Sequence, residues 1–98
     1  MKLVKDYIEH LCDEVEGAMD YAEKYIECRA KGESSRASKY REMASDELNH
    51  ASFVRDMAYQ DIKRISEMMV IPMDVEDEWD KAVKHCDEKM ALVKRMLE

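Results

Sequence analysis

The sequence predicts an all-α fold, a three-helix chain whose first two helices form a long antiparallel hairpin. Three observations predict it. The 98 residues include only two glycines and one proline, and 40% are charged. Apolar residues recur at the spacing of a helix over stretches much longer than a strand. The pattern breaks in only two places, Lys31-Gly32-Glu33-Ser34-Ser35 and Val70-Ile71-Pro72-Met73-Asp74. At this length the chain, residues 1–98, makes one domain.

Helix 1 is expected over about residues 2–30, ending where Gly32 supplies the backbone freedom that a helix C-terminus needs. One arc of it carries Leu3, Tyr7, Leu11, Ala18, Tyr21, Tyr25 and Cys28, and a shoulder carries Ile8, Val15, Met19, Ala22 and Ile26. Two apolar surfaces on one helix predict burial between two neighbours. Helix 2 is expected over about residues 35–69, capped by the serines and roughly 50 Å long. Helix 3 is expected over about residues 74–97, after a proline that cannot continue helix 2 and with Asp74 as N-cap. Its stripe is Val75, Trp79, Ala82, Val83, Cys86, Met90, Val93 and Leu97. So much apolar face in so short a chain predicts a homodimer or higher homo-oligomer. The plain counter-reading is a monomeric three-helix bundle with a frayed second helix. The Met68, Met69 and Met73 stretch reads as core or interface filling.

Composition excludes several classes of function. A net charge of −7 argues against nucleic-acid and anionic-membrane binding, where basic patches supply most of the attraction. No apolar run approaches the length of a membrane span, and the N-terminus lacks the apolar core of a signal peptide. Cys12, Cys28 and Cys86 are odd in number and form no CxxC pair, which predicts free thiols in a reducing cytoplasm. Cys28 and Cys86 fall on apolar faces, whereas Cys12 is expected to face outward.

The chemistry gathers around Glu47 and His50 in Ala44-Ser45-Asp46-Glu47-Leu48-Asn49-His50-Ala51. With thirteen Glu and three His in the chain, a chance Glu-x-x-His is expected about 0.4 times, so the bare pattern is weak. Its position strengthens it. Tyr40, Ala44, Ala51, Val54, Ala58 and Ile65 fall within about 60° of Glu47 on the helical wheel, which sets the carboxylate along the centre of the apolar stripe. Glu14 holds the same position on helix 1, within about 60° of Leu3, Tyr7, Leu11, Ala18, Tyr21 and Tyr25. Glu16 and Glu23 point away, and Glu27 lies well off the arc.

A carboxylate there is costly without a partner, a proton or a metal ion. Two carboxylates and an imidazole suit Fe or Mn, with Zn also accommodated. The competing reading has Glu14 and Glu47 protonated, or hydrogen-bonded to Tyr21 and Tyr40, as a polar core. His10, one turn before Glu14, reads either as a satisfied interior residue or as a ligand or its support. Tyr21 and Tyr40 read either as hydrogen-bonding support or as packing.

Residues 7–60 resemble half of a ferritin-like protein, with rubrerythrin the nearest pattern. The resemblance rests on Glu14, Gly17 and Tyr21, the Ala30-Lys31-Gly32 turn, Ala37, Tyr40, Ala44, Glu47, His50 and Ala51, and on the ungapped interval from Glu14 to Glu47. It implies a carboxylate-bridged di-iron site, with Glu14, Glu47 and His50 as ligands, that oxidises iron for storage or removes peroxide. The chain departs from the pattern in lacking a second Glu and a second Glu-x-x-His, as well as paired CxxC motifs. His85 and Glu88 point away from the Trp79 stripe and do not replace them. A two-fold axis would double the ligand set and complete a four-helix bundle, with two Fe per dimer. That arrangement resembles the half-length encapsulated ferritins and, by that analogy alone, implies an enclosing protein shell. The alternatives are a non-catalytic helical interaction module, or a ferritin-like fold whose site has degenerated.

Overall fold

The computed structural model describes residues 1–98 as three helices: α1 Lys2–Ala30, α2 Ser34–Met68 and α3 Met73–Met96. These lie within a residue or two of the boundaries read from the apolar periodicity. The molecule is a rod of 55 × 19 × 17 Å. α1 packs along α2 as a hairpin and also carries α3, whereas α2 and α3 meet only marginally. The two apolar surfaces of α1 therefore serve two neighbours, as the sequence predicts.

The hairpin turn forms because Gly32 adopts φ +73°, a conformation that costs a residue without Cβ very little. Its N–H bonds the Arg29 carbonyl at 3.1 Å, and the Glu33 N–H bonds the Cys28 carbonyl at 2.9 Å. This paired capping satisfies carbonyls that the helix end leaves free. The other termini differ from expectation. α2 starts from Glu33, and neither it nor α3 has a side-chain cap. Asp74 is not the N-cap of α3: the helix begins one residue earlier, after Pro72, so Asp74 lies in its first turn with Glu76. Both acids still favour the positive end of the helix dipole.

The α1–α2 seam is built from small residues. Ala18, Ala22, Ala37, Ala44, Ala51 and Ala58 are all buried, which lets the two backbones approach closely. The core around α3 is bulkier, with Trp79, Cys86, Met90, Val93 and Leu97 buried. Arg41 Nε donates to the Leu97 carbonyl at 2.9 Å and Arg29 donates to the Glu98 carbonyl at 3.3 Å. Both fasten the negative end of α3 to the hairpin. Arg55 pairs with Asp87 across α2 and α3.

One expectation fails outright and another in part. Cys12 does not face outward. It is half-buried beside Cys86, because α3 covers the shoulder of α1 on which it sits. The Met68, Met69 and Met73 stretch fills no core within the chain: these side chains are 79%, 56% and 77% exposed.

Candidate metal centre

Glu14 comes from the middle of α1, and Glu47 and His50 come from one turn of α2. The antiparallel hairpin brings them level. One ligating atom from each lies within 4.8 Å of the others. His50 Nδ1 is 3.6 Å from Glu14 Oε2 and 3.7 Å from Glu47 Oε1. The imidazole thus faces both acids at a distance that leaves room for an ion.

The cluster sits at the edge of the apolar stripe rather than on its centre line. Ala44, Leu48 and Ala51 around Glu47 are buried, but the Glu14 and Glu47 side chains keep 20% and 26% of their surface, and His50 keeps 60%. The reason is the phase of the packing. α3 occupies the Cys12 shoulder of α1, and the opposite shoulder, which carries Glu14, stays open. Phe53 and Met57 continue the strip that His50 begins, at i+3 and i+7. Phe53 is 64% exposed.

Gly17 makes room for the cluster. A Cβ built there would lie 3.1 Å from Glu47 Oε2, tighter than ordinary contact. A glycine within a helix costs roughly 1 kcal/mol relative to alanine. Here it opens the space that the Glu47 carboxylate occupies.

The two acids shift one another in opposite directions. The neighbouring Glu47 side chain holds the Glu14 carboxyl below the usual carboxylate range, with help from His10. The Glu14 side chain, followed by partial burial, raises Glu47. This is the expected behaviour of two carboxylates that cannot both ionise cheaply at short range.

His10 lies on the same side of α1, with Nε2 3.2 Å from Glu14 Oε1. It supports Glu14 and stands outside the triad. Tyr21 and Tyr40 stack on one another, with ring centroids 6.2 Å apart and planes at 27°, across the hairpin one level closer to the turn. The geometry favours packing for this pair. Tyr40 also walls a cleft of about 540 Å³ at the turn, where Lys24, Lys31, Arg36 and Lys39 collect; the triad does not line it. Further from the turn, Tyr7 donates to Asp61 at 2.5 Å, which ties the far ends of α1 and α2 together. His85 and Glu88 are exposed on α3, away from the triad.

Sequence reasoning singled out all three members of the triad. It missed that Gly17 lies opposite the Glu47 carboxylate, that Asp61 is bonded to Tyr7, and that Cys12 meets Cys86. Each is a contact between helices, which a wheel drawn for one helix does not show. No family model, curated protein or solved structure matches the chain.

Proposed function

We propose that Glu14, Glu47 and His50 hold a transition-metal ion, iron first and Mn or Zn as alternatives, and that two copies of the chain meet on this face to form a di-metal centre. One observation carries the reading: two acids and an imidazole from two helices converge within 4.8 Å over a glycine whose Cβ would crowd one of them. The donor set fits borderline and hard divalent ions. His10 supports Glu14 in the way that outer hydrogen bonds orient ligands.

One protomer supplies three donors, fewer than the four to six that such ions take. A second copy related by a two-fold axis would bring the total to four carboxylates and two imidazoles. It would also cover Phe53 and Met57. This completes the ferritin-like four-helix arrangement that residues 7–60 resemble. Bound iron would supply one-electron chemistry with dioxygen or peroxide, so iron oxidation, iron storage or peroxide removal is the function class. The chain's own task is to orient the donors, and a proton held by Glu47 would be released on binding.

The second reading is a metal-free helical interaction module, or a ferritin-like fold with a degenerate site. The opposite shifts of the two acids favour it, because a protonated Glu47 beside an ionised Glu14 would need no ion.

Anaerobic Fe(II) titration separates the two. Saturable binding that is lost in Glu47→Ala and His50→Ala and kept in Glu16→Ala, an exposed acid on the same helix as Glu14, supports the metal centre. Binding no higher than background, or binding unchanged in those two variants, rules it out.

A further inference from the structure

On the opposite shoulder of α1, two thiols that the triad does not use meet across helices. Cys12 Sγ of α1 and Cys86 Sγ of α3 are 3.9 Å apart, although 74 residues separate them in the chain. A disulfide needs the sulfurs at about 2.05 Å, so small side-chain rotations would have to close the gap. The two cysteines differ in access. Cys86 is 1% exposed, and Cys12 is half-buried. A crevice of about 20 Å³ opens at the pair, lined by Cys12, Val15, Glu16, His85, Cys86 and Lys89. A space of this size admits about one water-sized molecule, enough for the reactive end of a small peroxide.

We propose that Cys12 and Cys86 form an oxidisable dithiol site, converted by a hydroperoxide into an intramolecular disulfide that locks α3 onto the hairpin. The step balances without a cofactor. Cys12 sulfur, reached first through the crevice, attacks the peroxide oxygen and becomes a sulfenic acid, and the peroxide leaves as an alcohol or, from hydrogen peroxide, as water. The Cys86 sulfur then attacks the Cys12 sulfur, the S–S bond forms, and the hydroxyl leaves as water with the Cys86 proton. The two thiols lose two electrons and two protons, and the peroxide gains both. Burial pushes the Cys86 thiol up to about 12, which keeps it from being the first of the two to react with the peroxide. Cys28, on another face of α1, takes no part. A crosslink over so long an interval restricts the unfolded chain strongly. It also fixes the one helix that is joined to the rest mainly through α1.

The test is hydrogen peroxide treatment of the whole metal-free protein, followed by thiol counting, intact mass, peptide mapping and thermal melting. The expected result is a fall from the three free thiols to one and a loss of about 2 Da. Cys12 should be joined to Cys86, and Tm should rise by about 5 °C or more. A thiol reductant should reverse all of these. Cys28→Ser should behave the same way with one thiol fewer, and Cys12→Ser should form no internal crosslink. The proposal is overturned by a disulfide that involves Cys28, by crosslinks only between chains, by over-oxidation of Cys12 with Cys86 still a thiol, or by no reaction. A Cys12–Cys86 disulfide with unchanged Tm would overturn the locking role.

Discussion

On the side of α1 that faces α3, Val15, Cys86, Met90 and Val93 keep no more than 4% of their surface, and the seam is apolar apart from two thiols. On the side that opens beside α2, Glu14, Glu47 and His50 keep 20%, 26% and 60% of theirs. The same helix supplies both faces, so propensity does not explain the difference. Solvation does. An apolar seam gains by excluding water and closes within the chain. Two carboxylates and an imidazole lose hydration when covered, and the face that carries them stays partly open until a proton, an ion or another chain balances the charge. The closed side contributes most to the stability of the rod, and the open side carries the candidate metal ligands.

Substitutions can sharpen or break this division. The largest effect belongs to the closed core. Leu11, fully buried, should cost about 3 kcal/mol as Leu11→Ala, read by urea denaturation; a cost below about 1 kcal/mol would show that the core is loosely packed. On the open side, His10→Ala should weaken metal binding about tenfold while leaving the melting temperature of the metal-free protein nearly unchanged, because His10 is exposed. Equal losses of stability and affinity would make His10 structural.

Gly17→Ala sets the two sides against each other. It gains up to about 1 kcal/mol of helix propensity, and its Cβ presses on the Glu47 carboxylate. The metal-free fold should hold or gain stability while metal affinity falls, a split that chemical denaturation and calorimetry together would read. Unchanged affinity would mean that Glu47 has room elsewhere.

The smallest effect is on pH dependence. Glu47, raised in the fold, contributes stability that is fully present below the unfolded carboxylate pKa and is lost as pH rises through its raised value. Glu14, lowered in the fold, contributes stability that is present above the unfolded pKa and is lost as pH falls through its depressed value. The metal-free protein should therefore gain most from this pair between the two values. Metal affinity should rise with pH as the Glu47 proton becomes easier to displace. Glu47→Gln should flatten the alkaline limb of the stability profile.

Much of this was legible in the sequence because each helix is long and regularly patterned. The breaks at Gly32 and Pro72 set the helix boundaries, and the wheel phases of Glu14 and Glu47 brought the two acids together. What the sequence left out depends on how the helices sit against one another. Glu14 and Glu47 share a phase with their apolar stripes, yet α3 packs on the Cys12 shoulder and leaves the acids at an edge. Cys12 looked outward on the wheel of α1, but Cys86 approaches it from a helix that follows more than 40 residues after α1 ends. The Gly17 contact with Glu47 required two helices in register.

The central claim joins the open face, its ion and a second copy, and native mass spectrometry of the protein loaded with Fe(II) without oxygen addresses all three together. The account predicts a species at twice the 11.6 kDa protomer mass carrying two iron ions, with both the iron and the pairing diminished in Glu47→Ala. A metal-free monomer under those conditions, or a dimer that keeps its iron when Glu47 is removed, would contradict it.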